Sequence, residues 1–363
     1  MDRLIEAIER TGNPSVVGLD PTDAVVPTAI AAGLEREVRD SVEAEELPAS
    51  LRAVAYLEFC RAIIDAVADV VPAVKPQIAM FEALGPAGLD SYALTCAHAR
   101  ERGLYVIGDV KRGDIGSTAT AYARHLTGVP VADPAGTPGG HAAAPEGSGM
   151  GRAPSHEGST DAVEPTHAVD VWGEDAITVN PYLGSDGVTP FVRAAETTDK
   201  DLFVLVRTSN PSSAEIQECE LADGRPLYER VADLVGEWGS GSIGRHGYSR
   251  VGAVVGATQA DQGALLRRRM PHAFFLVPGY GAQGGTARDI ARMADPRGSG
   301  ILVNSSRGII GAWRGSGEER PGMPLDAALD MVARHARRAA IAMREDIRTA
   351  LKDRGRPSAP GRR

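Results

Sequence analysis

Eight short apolar, β-branched runs recur along the chain with helical sequence between them: SVVGLD (15–20), AVKPQIA (73–79), GLYVIGDVK (103–111), DAITVNPY (175–182), LFVLVRTS (202–209), VGAVVGAT (251–258), FFLVPGYG (274–281) and ILVNSSRG (301–308). Strands buried on both faces read as near-continuous apolar runs, and their alternation with amphipathic helices marks a parallel sheet covered by helices. Eight such units predict a (β/α)8 TIM barrel, with a doubly wound open sheet as the alternative. The strand ends favour the barrel. Nearly every run terminates in a polar residue, namely Asp20, Lys75, Asp109 with Lys111, Asn180, Ser209, Gln283 and Arg307, and barrel active sites are assembled from those C-terminal ends.

The helices are legible from their period. Residues 51–70 carry apolar side chains at Val54, Leu57, Ile64 and Val67, and a long helix over 325–351 closes the barrel. One segment breaks the pattern. Residues 127–170 are rich in Gly, Pro, Ser and Ala with few large apolar side chains, which predicts a disordered insertion between the third helix and the fourth strand. That position places it on the barrel's N-terminal face, away from the strand ends. His141, His156 and His167 fall inside it at spacings that fit no metal-ligand pattern. The loop 314–324 reads as equally structureless, and 352–363 as a flexible tail.

Composition narrows the function classes. The 363 residues carry a net charge of −9, which argues against a general nucleic-acid binder; the basic run Arg267, Arg268 and Arg269 is expected to be a solvated face. No run of about 18 apolar residues could cross a bilayer, and MDRLIEAIERTGN lacks the apolar core of a signal peptide, so a cytoplasmic protein is expected. Cys60, Cys96 and Cys219 form no CxxC pair and are expected to be reduced structural thiols.

The stretch GDVKRGDIGST, 108–118, puts charge where a buried strand ends. Residues two apart on a strand point to the same side, so Asp109 and Lys111 should project together into the barrel mouth. A lone DxK reads most simply as a salt bridge capping a barrel. The longer string adds glycines at 113 and 116 that let the backbone turn around Asp114, while Ser117 and Thr118 could cap the next helix or touch a ligand.

This string resembles the signature of the orotidine 5'-phosphate decarboxylases, specifically their longer bacterial and archaeal (type 2) branch, and the other strand-end motifs match in order over nearly all the chain outside the insertion and tail. The signature residues are Asp109, Lys111, Asp114, Ile115 and Thr118, with a second lysine, Lys75, from the end of strand two. The resemblance implies an alternating Lys75, Asp109, Lys111, Asp114 array in a homodimer, where Asp114 and Thr118 serve the neighbouring subunit's site. The related hexulose-phosphate synthase and ketogulonate-phosphate decarboxylase group shares a DxKxxD string but carries an acidic residue toward magnesium at the end of strand two, where this chain has Lys75.

The charges suit the implied reaction. Removing CO2 from C6 of orotidine 5'-monophosphate leaves a carbanion that the ring cannot delocalise, and no cofactor or metal motif accompanies the strand ends, so a reaction without cofactor is expected. A lysine held between carboxylates stays protonated and can stabilise the anion and then donate the proton that replaces CO2. Asp109 is expected to face the substrate carboxylate. At the far end, VPGYGAQGG surrounds Gln283 with glycines and NSSRG presents Arg307; loops after strands seven and eight of barrels frequently bind phosphate, and the resemblance assigns that contact to these two residues. It also matches Asp20 to a ribose contact and Ser209 to a pyrimidine contact, although LDP reads equally as a strand-ending turn and Ser209 as a helix cap. Asn180 belongs to the branch signature without a derivable role. Met80 and Phe81 are expected in the core.

Overall fold

The computed structural model describes residues 1–38, 47–131 and 168–354. Its eight principal strands are β1 (Ser15–Leu19), β2 (Ala73–Pro76), β3 (Tyr105–Arg112), β4 (Ala176–Val179), β5 (Asp201–Arg207), β6 (Val251–Val255), β7 (Phe275–Val277) and β8 (Ile301–Ser305). Each pairs in parallel with its neighbours, and β1 pairs with both β2 and β8, so the sheet closes. The TIM barrel is confirmed, and every apolar run supplied a strand.

Strand parity explains how this barrel makes a site. Val16, Ala73, Ile107, Ala176, Phe203 and Leu302 pack together inside it as an apolar plug. Moving two residues toward the C-terminal ends keeps the same face, so the next layer holds Gly18, Lys75, Asp109, Thr178, Leu205 and Asn304, with Val254 and Leu276 completing the ring. This layer is the floor of the mouth. Its polar half lies on β8 and β1–β4; its apolar half is contributed by β5–β7. Outward-facing residues such as Val17, Val74, Val106 and Ile177 pack against the surrounding helices in a second apolar shell.

Several expectations change. The helix over 51–70 runs instead from Leu47 to Val67; Leu57, Ile64 and Val67 are buried, but Val54 lies on the exposed face at 40% exposure. Arg267 is no solvated residue. It is buried with Nε on the Met293 carbonyl and both Nη atoms on the Ala273 and Gly300 carbonyls, and its guanidinium stacks on Phe275. The loop 314–324 is packed rather than structureless: Trp313 and Met323 are buried at its ends, and Glu319 accepts hydrogen bonds from the first turn of the helix at Thr28.

Most of the expected insertion, with His141, His156 and His167, lies outside the described residues, as does the tail beyond 354. Its flanks are described. Val129–Pro130 pairs antiparallel with Ala168–Val169 before β4 begins, so both ends leave the barrel side by side on the N-terminal side. Below this pair, the fully buried Glu174 accepts hydrogen bonds from Tyr92 Oη at 2.5 Å and His125 Nδ1 at 2.8 Å.

Candidate active site

Asp109 sits at the centre of the polar half-floor, and its carboxylate is saturated. Oδ2 meets Lys75 Nζ and accepts from Gln77 Nε2 at 2.8 Å; Oδ1 takes Lys111 Nζ at 2.5 Å and the Thr178 hydroxyl at 3.0 Å. Asp109 and Lys75 are buried, whereas the Lys111 side chain is about half exposed toward the cavity. Burial alone would oppose ionisation of Asp109, but the charges of Lys75 and Lys111 outweigh it and hold the carboxyl well below its usual range. Burial likewise disfavours the Lys75 ammonium, and Asp109 and Asp20 reverse that, raising its pKa.

The pairing of Asp109 with Lys111 is not reached by simple strand alternation. Lys111 adopts a left-handed backbone with φ of 45°, and the β3–β4 register shifts between Gly108 and Arg112. The Lys111 amide then donates to Thr178 Oγ1 at 2.9 Å. Such a conformation is costly for a residue with a Cβ and persists where surrounding structure over-determines it. Thr178 thus fixes both the backbone of Lys111 and the carboxylate that the lysine grips.

The cavity above this floor has a volume of about 810 Å3. On its far rim Ser209 Oγ donates to Gln283 Oε1 at 2.7 Å, which settles Ser209 as a cross-loop contact and not a helix cap. The two residues approach over Gly279, whose φ of 100° suits glycine and where a Cβ would press on both side chains. Arg307 lines the same rim at the end of β8 and makes no ion pair among the described residues. Asp20 lines the wall and accepts from Ser306 Oγ at 3.0 Å. The cavity therefore offers a charged floor at one end and a guanidinium with an amide at the other, a layout suited to an anionic ligand with a second polar or charged group.

Asp114, Thr118 and Asn180 are not brought into this cavity. Asp114 accepts from the Ile115 amide and Thr118 is exposed. The helix Gly116–Tyr122 starts after Ile115 with no side-chain cap, so neither Ser117 nor Thr118 caps it. Asn180 turns the chain after β4, its Oδ1 accepting from the Tyr182 amide, and its backbone lies against Gly113. Phe81 is fully buried in the core, as expected, and Met80 packs against the same core while also lining the cavity.

Four further residues were missed. Gln77 and Thr178 share parity with Lys75 and with the inward Ala176, a signal available from strand alternation alone. Asn304 also lines the cavity. Arg207, buried at the end of β5, binds Gln262, Ser213, Gln217 and Glu218, and Gln217 in turn accepts from the Thr208 amide at 2.9 Å. It anchors the loop that carries Ser209; only the fold brings these partners together.

Comparison with known proteins places this arrangement. Residues 15–133 and 162–316 match the model of the orotidine 5'-phosphate decarboxylase / HUMPS family. The orotidine 5'-phosphate decarboxylase of Rhodopirellula baltica is 43% identical over 312 residues, covering 86% of this chain and 88% of the relative. That of Caldicellulosiruptor bescii is 37% identical over 320 residues, covering 86% and 90%. Among solved structures, Leishmania donovani OMP decarboxylase superposes with a TM-score of 0.62 at 28% identity, over 97% of this chain and 98% of that one.

Proposed function

Because the chain belongs to the orotidine 5'-phosphate decarboxylase / HUMPS family, we propose that it is a carboxy-lyase that converts orotidine 5'-monophosphate to uridine 5'-monophosphate and CO2, the closing step of pyrimidine nucleotide synthesis. The observation that carries this reading is the buried Lys75 gripping Asp109 beside Lys111. A cation at the end of β2 disfavours a bound divalent metal there, which separates the chain from magnesium-using sugar-phosphate enzymes on related barrels.

In this reading the phosphate sits against Arg307 and Gln283, whose fork and amide match its oxygens, and Ser209 faces the pyrimidine. Asp20 meets the ribose. The C6 carboxylate then lies next to Asp109. The C6–CO2 bond breaks with its electron pair left on C6, CO2 departs, and Lys111 Nζ delivers a proton to C6 and is later reprotonated from solvent. Before that transfer its ammonium stabilises the growing carbanion, an interaction stronger in the transition state than in the ground state. Like-charge contact between Asp109 and the substrate carboxylate adds to the driving force toward loss of CO2. Lys75 keeps Asp109 ionised and in place. No cofactor or metal enters any step.

The reading also makes the enzyme a homodimer in which Asp114 and Thr118 complete the partner's site. Exposed apolar side chains near them, Ile115 at 54% and Tyr182 at 76% exposure, suit a covered surface. The test is turnover of orotidine 5'-monophosphate by purified protein with and without a chelator. Turnover that survives chelation supports it; absence of turnover, or a magnesium requirement, overturns it. In Arg307→Ala, loss of discrimination against unphosphorylated orotidine checks the phosphate assignment.

A further inference from the structure

Asn304 stands out on the cavity floor because its amide oxygen has nothing to bond. The residue is 8% exposed, Oδ1 is buried without a hydrogen-bond partner, and the amide nitrogen has only a long 3.5 Å contact to Ser306 Oγ. A buried acceptor left unsatisfied costs more than an ordinary hydrogen bond returns, so its persistence asks for a partner that arrives later. Strand parity points Asn304 into the mouth above Leu302, and the residue lines the cavity.

The neighbouring strand clears its approach. A Cβ built on Gly18 would lie 1.9 Å from Ser306 Oγ and 3.0 Å from both Asn304 Oδ1 and Asp20 Oδ1. Any side chain at 18 would fill the space that these three groups share. Gly18 is also the register partner of Lys75, so the orphaned oxygen opens between the charged floor and Arg307. In a nucleotide that spans these two ends, the part in the middle is the sugar, and the donors a sugar offers are hydroxyls.

Resting on the decarboxylase reading, we infer that Asn304 is a positioning residue for the substrate's ribose, its Oδ1 accepting a hydrogen bond from one ribose hydroxyl while Asp20 and Ser306 bound the same pocket. The bond seats the sugar at a fixed depth and thereby sets the pyrimidine over Lys111. It also gives the site a means of rejecting a nucleotide that lacks that hydroxyl, because the buried oxygen then stays unpaired.

The test pairs a residue deletion with a ligand deletion. Binding of uridine 5'-monophosphate and of its 2'-deoxy and 3'-deoxy analogues is measured calorimetrically for the wild type, Asn304→Ala and Asn304→Leu, with circular dichroism confirming the fold of each. In the wild type, one analogue should bind at least about fivefold more weakly than the full nucleotide. That penalty should shrink toward none in either variant that folds, whereas a merely structural asparagine would weaken all three ligands alike. Retention of the full wild-type discrimination against both analogues overturns the inference while leaving the decarboxylase reading intact. Failure of the wild type to bind uridine 5'-monophosphate overturns both.

Discussion

Lys75 and Lys111 grip opposite oxygens of one carboxylate, that of Asp109, from two adjacent strands. One is buried and the other half exposed, so they do different work. Lys75 is enclosed with Asp109, whereas Lys111 lines the cavity and is the one that, in the proposed reaction, meets the reacting atom. Lys111→Ala should lower decarboxylation by more than about three decades, because electrostatic stabilisation and proton donation go together. A variant with a tenth of wild-type turnover would contradict the role. The backbone supplies an independent check. With φ of 45° at this position, Lys111→Gly should be more stable than Lys111→Ala by about 1 kcal/mol in denaturant unfolding, both being inactive.

Asp109→Asn should expose the linkage between the two buried charges. In the wild type the folded-state pKa of Asp109 is depressed, so its contribution to stability is present above the unfolded carboxylate value and is lost only as pH falls through the lowered one. The Lys75 pKa is raised, so its contribution is present below the unfolded lysine value and is lost as pH rises through the raised one. Removing the carboxylate leaves Lys75 buried with the more distant Asp20, at a cost of about 3 kcal/mol. Burial then dominates and the lysine pKa drops below its unfolded value, so the unfolded state binds more protons. Stability of the variant should increase from pH 7 toward pH 10 while that of the wild type does not; equal pH profiles would show that Lys75 does not depend on Asp109.

The strands, and the convergence of Lys75 and Asp109, were legible because both follow from period: apolar runs mark buried strands, and alternation carries the same face to the mouth; Lys111 joins them through its left-handed backbone and not through alternation. Apart from Gln77 and Thr178, whose inward parity was available from alternation, what escaped depends on neighbours distant in sequence. The left-handed turn at Lys111 exists because Thr178 bonds its amide, and Thr178 belongs to the next strand. Arg267 reads as a solvated charge until the fold surrounds it with carbonyls. Met80 packs against the core, as its hydrophobicity indicates, and also borders the cavity because the short helix Ile78–Glu82 begins immediately past β2.

Gly108 should be nearly as intolerant of change as the charged residues it precedes. A Cβ there would lie 2.1 Å from Glu174 Oε1, and Glu174 cannot retreat because Tyr92 and His125 hold both of its oxygens. Gly108→Ala should destabilise the protein by about 1–3 kcal/mol through overpacking. Adding Tyr92→Phe, which frees one oxygen, should recover part of the loss; strictly additive effects would show that the two residues do not press on the same carboxylate.

Pairing of Val129–Pro130 with Ala168–Val169 brings the ends of the intervening segment to neighbouring positions on the side opposite the cavity. Replacing residues 132–167 by a short Asn-Gly turn, which suits an antiparallel pair, should leave kcat and KM within about twofold of wild type, since the pair itself closes the gap. A folded replacement that has lost turnover would show that the segment serves the active site.

The proposed sharing of sites between subunits has its own arithmetic. Asp114 and Thr118 do not line the cavity of their own chain, so in the proposed dimer each site takes Lys111 from one chain and Asp114 from the other. Neither Lys111→Ala nor Asp114→Asn homodimers should then be active. In a mixed dimer one site carries both substitutions, whereas the other combines an intact lysine with an intact aspartate. Random reassociation of equal amounts makes about half the dimers mixed, each with one working site of two, so activity should recover to about a quarter of wild type. Subunit exchange is verified separately, by native mass spectrometry of differently tagged chains. If the exchanged mixture stays as inactive as its parents, each site is contained within one chain, and Asp114 acts, if at all, on its own strand end.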